Sequence, residues 1–223
     1  IIDSIYFKWI IVADVMWIIF GLIFIFNRKQ YKTNSQLYYL THQPIIEPKI
    51  CVIIPAYNEE LVIEKVVNDY INQKNVKSVF VIDNHSSDNT VKIAERCGAN
   101  VIRKDKNMGY AHSCVLGLKK SLETDSNIIA LTEADGTYSG IDLEKMVPYL
   151  DNVDMVIGTR EIQVLSEKGN QNKTFYVWGN FILAKLIQIK FFSLQHMGVV
   201  SLTDVGCSYR CIRKDALSKI IDQ

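Results

Sequence analysis

The chain has 223 residues, a formal net charge of +1, 48% hydrophobic residues and 22% charged residues. That length fits one large domain, or one domain with an appendage. The near-neutral charge, without a basic block interleaved with aromatics, argues against a nucleic-acid partner. Cys51, Cys97, Cys114, Cys207 and Cys211 form no CxxC pair and no zinc-site spacing. They read as reduced thiols in a cytosolic domain.

The run Trp9–Phe26, WIIVADVMWIIFGLIFIF, is apolar except for Asp14. About 18 residues rising ~1.5 Å each cover roughly 27 Å, just enough for a membrane core. No strongly basic front and no small-residue cleavage site marks it as a signal peptide. The run predicts a transmembrane helix within residues 1–26. Arg28, Lys29 and Lys32 follow it and only Lys8 precedes it, which puts the following domain on the cytoplasmic side. Asp14 would face a partner helix, a polar cavity or the outer interface. Residues 27–48 are polar, include Pro44 and read as a linker. The domain expected over 49–223 stops at Asp222-Gln223 just after a helix begins, so a C-terminal truncation is expected, with further membrane helices a possibility in the missing part.

From Lys49 the pattern alternates. Strands are predicted at Ile50–Ile54, Val76–Ile82, Val101–Ile102, Asn127–Leu131 and Val153–Ile157. Helices are predicted at Asn58–Asn72, from Asp88 or Asn89 to Arg96, at Gly109–Leu122 and at Asp142–Leu150. Strands alternating with helices imply βαβ units and a mostly parallel sheet. Lys173–Leu194 is long and mostly apolar but interrupted by Lys185 and Lys190. It reads as a helix against a membrane surface or a core, not as a second clean span.

Three stretches carry candidate chemistry. In CVIIPAYNEE (Cys51–Glu60) a strand runs into Pro55, expected to end the ladder. No GxGxxG follows, so a dinucleotide site is not expected. The backbone of Pro55-Ala56-Tyr57 suits a base or ribose, and Glu59 suits a hydroxyl or ring N–H. Alternatively, Asn58 caps a helix whose dipole Glu59 and Glu60 favour. In FVIDNHSSDNT (Phe80–Thr90), Asp83 ends a strand on the same rim and suits a base N–H edge, while Asp88 suits a helix cap. In NIIALTEADGTYSG (Asn127–Gly140), Glu133 and Asp135 follow the carboxyl end of a buried strand, where ligands bind in open α/β sheets. Two carboxylates held close repel unless a cation intervenes. A hard divalent cation shared with a diphosphate resolves that.

In order and spacing, IPAYNEE, VIDNHSSDNT, NMGYA (Asn107–Ala111) and LTEADG resemble the nucleotide-sugar-binding half of family 2 glycosyltransferases, over roughly Lys49 to Leu217. The resemblance implies an α/β, GT-A (Rossmann-like) fold with a mostly parallel sheet flanked by helices. It implies that Pro55, Ala56, Tyr57, Glu59, Asp83, Asn107, Gly109, Glu133 and Ala134 hold the nucleotide sugar. It also implies a divalent metal, Mg²⁺ or Mn²⁺, on Asp135 with Glu133. Glu133 departs from the family's more usual Asp and, one methylene longer, is expected at the metal, at metal-bound water or at ribose. Asn84 stands where a second Asp is common.

Val156–Arg160, VIGTR, and Thr203–Leu217, TDVGCSYRCIRKDAL, resemble stretches of polyprenyl-phosphate sugar transferases of the dolichol-phosphate-mannose synthase group, with Ser208 interrupting the local match. The physical case runs alongside: guanidinium binds phosphate in a bidentate fork, so Arg160 and Arg210 are candidates for a lipid phosphate. Arg213 and Lys214 read as a solvated face or as further phosphate contacts. Asp204 is assigned to binding donor or acceptor sugar, not to proton abstraction. Asp135, Arg160, Asp204 and Arg210 are thus the expected catalytic set. The expected function is inverting transfer of a sugar from a nucleotide-sugar donor to a polyprenyl (dolichyl) phosphate at a membrane. The alternatives are a family 2 transferase with a glycan hydroxyl acceptor, and an inactive membrane-tethered nucleotide-sugar-binding protein.

Overall fold

The computed structural model describes residues 5–26, 44–159, 174–190 and 204–222. They fall in two compact units, one containing helix α1 (Ile5–Phe26) and the other containing all the remaining elements. Along α1 the described side chains are exposed, Trp9, Trp17 and Phe20 among them. Among the described residues no helix is long and apolar enough to cross a membrane. The expected span is therefore a helix but is not established as a crossing. The apolar sequence of α1 runs on through positions 23–26, whose side chains lie outside the described residues. Of the expected linker, residues 27–43 also lie outside them.

The second unit is built on strands β1 (Ile50–Ala56), β2 (Val76–Asp83), β3 (Asn100–Arg103), β4 (Ile128–Leu131), β5 (Met155–Ile157) and β6 (Arg210–Arg213). Between them lie helices α2 (Ile63–Ile71), α3 (Thr90–Arg96), α4 (Tyr110–Ser121), α5 (Asp142–Met146) and α6 (Thr174–Lys190). A 3₁₀ turn (Val147–Asp151) follows α5, and α7 (Lys214–Ile220) follows β6. The sheet order is β3-β2-β1-β4-β6-β5. The first four strands pair in parallel, and β6 runs antiparallel between β4 and β5. Strand order reverses beside β1, which has β2 on one side and β4 on the other. That is the topological switch point where α/β sheets open a crevice.

β1 is buried at every position, as its unbroken ICVIIPA run requires of a strand covered on both faces. On one face Ile50, Val52 and Ile54 share a core with Ile63, Val66, Val67 and Tyr70 of α2 and Leu143 of α5. On the other, Cys51 and Ile53 share a core with Ile82, Ile129 and Leu217, and Leu116 of α4 and Leu122 just after it pack against it. α4 approaches the sheet closely at Gly117, where an added Cβ would lie 2.3 Å from Ile53 Cγ2.

The structure corrects three sequence expectations and adds one strand. Pro55 does not end the ladder: Pro55 pairs with Ile82 and Ala56 with Asp83. Pairing with β4 stops at Ile53, so the missing N–H of Pro55 falls where β1 has a neighbour on one side only. Asn58 does not cap a helix. It adopts φ +55°, its Oδ1 accepts from the Ser87 backbone N–H at 2.8 Å, and α2 starts only at Ile63. Residues 147–151 tighten into a 3₁₀ turn around Pro148, which cannot continue the α-helical hydrogen bonding of α5. The added strand is β6: Arg210-Cys211-Ile212-Arg213 is four residues long with charges at both ends, and only its place between two strands makes it one.

Candidate active site

A cleft of about 290 Å³ opens at the carboxyl ends of β1 and β4. It is lined by Pro55, Ala56, Tyr57 and Glu59 after β1, by Asn84 after β2, by Tyr110 and Ser113 on α4, and by Glu133, Ala134 and Asp135 after β4. Seven predicted residues thus meet on one surface, because parallel strands deliver their following loops to the same rim.

The acidic loop is held from several sides. Asp135 accepts from the Thr137 backbone N–H at 2.9 Å and from Thr137 Oγ1 at 2.8 Å. Gly136 between them sits at φ +77°, a conformation that L side chains rarely adopt, and an added Cβ would lie 3.1 Å from Val62 Cγ1. Thr132, just before Glu133, is fully buried with its Oγ1 2.8 Å from the hydroxyl of buried Tyr70. Tyr209 Oη donates to the Ser139 carbonyl at 3.2 Å, and the Tyr138 hydroxyl accepts from the Ser208 N–H at 3.3 Å. The segment entering β6 and the acidic loop therefore hold each other. Partial burial pushes the Tyr138 phenol up to about 12, so it stays protonated at neutral pH.

The loop after β1 is tied to the one after β2. Asn58 N–H donates to Ser86 Oγ at 2.9 Å, Glu59 N–H to Thr90 Oγ1 at 2.8 Å, and Glu60 N–H to Asp88 Oδ2 at 3.1 Å. Asp88 also accepts from the Thr90 N–H at 3.0 Å, one residue before the N-cap position of α3, which Asn89 occupies without a side-chain cap bond, so Asp88 braces the helix start from outside it instead of capping it. Burial raises its pKa, but the hydrogen bonds from Thr90 and Glu60 outweigh that and hold it below the usual carboxylate range. Glu59 moves the other way, raised first by burial and then by the negative charges of Asp135 and Asp88.

Other expected residues lie behind or beside the lining. Asp83 is wholly buried; its carboxylate receives the Ser86 N–H at 3.2 Å and faces Arg103 Nε at 3.5 Å. Asn107 Oδ1 accepts from Asn84 Nδ2 at 2.8 Å and from the Gly109 N–H at 3.0 Å, while Asn84 Oδ1 accepts from the Met108 N–H. Asn107 and Gly109 thus shape the loop that starts α4. Asp204 is buried and accepts from the Gly206 N–H at 2.9 Å. Arg210 opens β6 opposite Leu131, the last residue of β4, which puts it at the rim of the acidic loop. Its Nε is buried without a hydrogen-bond partner among the described residues. Arg160 lies outside the described residues.

The sequence motifs do not mark Tyr110, Ser113 or Thr137 as site residues. Tyr110 was within reach, since it belongs to the NMGYA stretch and begins α4 directly after Gly109. Burial raises the Tyr110 phenol, whose surroundings include Cys114, Glu133 and Ser208.

Among the described residues no three His, Cys, Asp or Glu side chains gather closely enough to hold a metal by themselves. A nucleotide-bound Mg²⁺ or Mn²⁺ asks less, one or two carboxylates with phosphate oxygens completing its shell. Asp135 and Glu133, lining an open cleft, fit that kind of shared cation. The two Thr137 hydrogen bonds leave Asp135 with further lone pairs to offer.

Residues 51–221 match the model of the glycosyl transferase family 2. Protein RfbJ of Shigella flexneri is 34% identical over 131 residues, covering 55% of this chain and 90% of that protein. The UDP-N-acetylglucosamine–dolichyl-phosphate N-acetylglucosaminyltransferase of Methanococcus voltae is 29% identical over 193 residues, covering 78% of this chain and 73% of that protein. Glucosyl-3-phosphoglycerate synthase of Mycobacterium tuberculosis, solved with Mn²⁺, UDP-glucose and phosphoglyceric acid, superposes with a TM-score of 0.54 at 19% identity. That match covers 75% of this chain and 57% of the other, and it shows a shared α/β GT-A-like fold. With the family model spanning nearly the whole sheet-bearing unit, the chain belongs to glycosyl transferase family 2.

Proposed function

We propose that this chain transfers a sugar from a nucleotide-sugar donor to a polyprenyl phosphate, with a divalent cation, Mg²⁺ or Mn²⁺, at Asp135. The observation that carries the reading is the cleft where Asp135 and Glu133 face the Pro55–Glu59 wall. Pro55, Ala56, Tyr57 and Glu59 bind the nucleoside. Asp83, Asn107 and Gly109 hold the loops that form the wall, and Ala134 lines the cleft between the two carboxylates in sequence. The cation would neutralise charge growing on the departing diphosphate. Arg210, with a buried unpartnered Nε, and Arg160 receive the acceptor phosphate. Such an acceptor is already an anion at neutral pH and needs no strong base, so Asp204 serves in sugar binding and inversion follows by direct attack.

The relative from Methanococcus voltae carries dolichyl phosphate in its name, which supports the acceptor class. The solved synthase holds Mn²⁺ and UDP-glucose, which supports the donor and cation. For membrane attachment we propose α1, whose 22 residues rise about 33 Å and so match a bilayer core of roughly 30 Å. The basic residues after it put the catalytic unit on the cytoplasmic side.

The test offers radiolabelled UDP- and GDP-sugars with short polyprenyl phosphate, with and without Mg²⁺ or Mn²⁺, and counts the organic phase. Metal-dependent label in that phase is expected. Label that passes only to glycan hydroxyls would sink the lipid acceptor, and transfer unaffected by chelation would sink the cation.

A further inference from the structure

Tyr110 stands where two sides of the cleft meet. It opens α4 directly after Gly109, whose φ of +85° turns the chain into the helix. Its side chain lines the cleft and is half exposed. The phenol lies among Cys114, Glu133 and Ser208. Glu133 belongs to the loop after β4, and Ser208 to the segment that enters β6 at Arg210. Cys114, four residues along α4 from Tyr110, lies within the fields of both Arg210 and Glu133. The phenol is therefore set between the acidic loop and the guanidinium of Arg210.

Ser208 is fixed in turn by the acidic loop. Its N–H and its Oγ both donate to Tyr138 Oη at 3.3 Å. A hydroxyl oxygen has two lone pairs, so Ser208 Oγ can also accept from Tyr110. Burial raises the Tyr110 phenol, and the charges of Cys114 and Glu133 add to it, so the hydroxyl keeps its proton at neutral pH. It can donate one hydrogen bond and accept others.

The strand order selects what reaches this hydroxyl. β4 lies between β1 and β6, so the Pro55–Glu59 wall after β1 and the entry to β6 flank the acidic loop on opposite sides. The neighbours of the phenol belong to β4 and β6, away from the nucleoside wall. With the diphosphate at Asp135 and the acceptor at Arg210, the group passing between them is the sugar. A pyranose carries C–H groups on its faces and hydroxyls around its edge. An aromatic ring with a polar tip complements both.

We infer that Tyr110 contacts the transferred sugar, with its ring against a C–H face and its hydroxyl on one sugar hydroxyl, and so selects which sugar the cleft accepts. This role for Tyr110 rests on the nucleotide-sugar reading proposed above and is indifferent to the acceptor.

Equilibrium binding with Mn²⁺ and without acceptor tests it. The full chain is titrated with UDP and GDP, then with sugar conjugates of whichever base binds, including analogues lacking one sugar hydroxyl at a time. Tyr110→Phe keeps the ring and removes only the hydroxyl. It should bind the nucleoside diphosphate as the wild type does. It should bind the parent nucleotide sugar about three- to tenfold more weakly, as loss of one neutral hydrogen bond implies. One analogue should bind both chains alike, because the hydroxyl it lacks is the partner of Tyr110. Equal weakening of the parent and every analogue overturns the inference, and so does equal weakening of the nucleoside diphosphate. Unchanged affinity for the parent sugar conjugate also overturns it, in a chain that still binds donors. A wild type that binds no sugar conjugate sinks the donor reading and this role with it, and the two failures are thereby told apart.

Discussion

Thr137 holds both oxygens of Asp135, one through its backbone N–H at 2.9 Å and one through Oγ1 at 2.8 Å. A carboxylate gripped at both oxygens has its rotamer fixed before any ligand arrives. Gly136 permits the grip by turning the chain back at positive φ.

Thr137→Val keeps the N–H bond and removes the hydroxyl. Outer-shell partners of metal ligands are worth roughly 10–100-fold in metal affinity, so Mn²⁺ binding in the presence of UDP should weaken about tenfold. Thr137→Ser should restore it. Titration followed by the Mn²⁺ electron paramagnetic resonance signal reads this without turnover, and equal affinity in the valine variant would show that Thr137 serves the loop alone. Asp135→Ala should abolish both the Mn²⁺ site and transfer while leaving the fold intact.

Arg210 is the second lever. If half-buried Arg210 receives the acceptor phosphate, Arg210→Ala should raise KM for polyprenyl phosphate by at least ~10-fold, as loss of a charged hydrogen bond of about 1.5–3 kcal/mol implies. The donor KM should hardly move. Arg210→Lys should recover only part, since an ammonium lacks the planar fork. Steady-state kinetics with each substrate varied in turn separates this from a general loss of fold, which would move both constants.

Asp88 gives a pH signature. Its folded pKa is depressed, so its contribution to stability is present above the ordinary carboxylate pKa and is lost as pH falls through the folded value. Asp88→Ala should cost about 1–2 kcal/mol at neutral pH, the usual worth of a helix-start hydrogen bond. The gap to the wild type should narrow as the solution is acidified. Urea denaturation at neutral and acidic pH measures it, and a pH-independent gap would remove Asp88's charge from the account.

Gly117→Ala tests how closely α4 seats on the sheet. Helix propensity alone favours alanine by about 1 kcal/mol. The added Cβ would meet Ile53 Cγ2 at 2.3 Å and Ile82 Cγ1 at 3.0 Å. Overpacking of that kind costs typically 1–3 kcal/mol, so a net loss of stability is expected. A rise in Tm would show that Ile53 repacks freely.

The repeated strand–helix pattern and the loops that bear the cleft were legible in the sequence. An apolar run such as Ile128–Leu131, bounded by turn residues, declares a buried strand by composition alone, and parallel strands put their carboxyl ends on one rim. That local logic and the family resemblance named Pro55, Ala56, Tyr57, Glu59, Glu133, Ala134 and Asp135, and the structure lines one cleft with them. What it could not decide depends on partners far along the chain. Arg210–Arg213 is a strand only because β4 and β5 leave a gap for it. Asp83 and Asn84 sit side by side at the end of β2. Yet Asp83 turns into the core toward Ser86 and Arg103, while Asn84 turns to the cleft and braces residues 107 and 108. Ser113 reaches the cleft because α4 starts at its edge, not through any motif of its own. α6 has the same character: its sequence announces an apolar helix, and only the burial of Ala184 against the exposure of its neighbours tells which side faces outward. Local sequence sets which backbone conformation each segment prefers. Which side chains share a surface is settled by packing between segments distant in sequence.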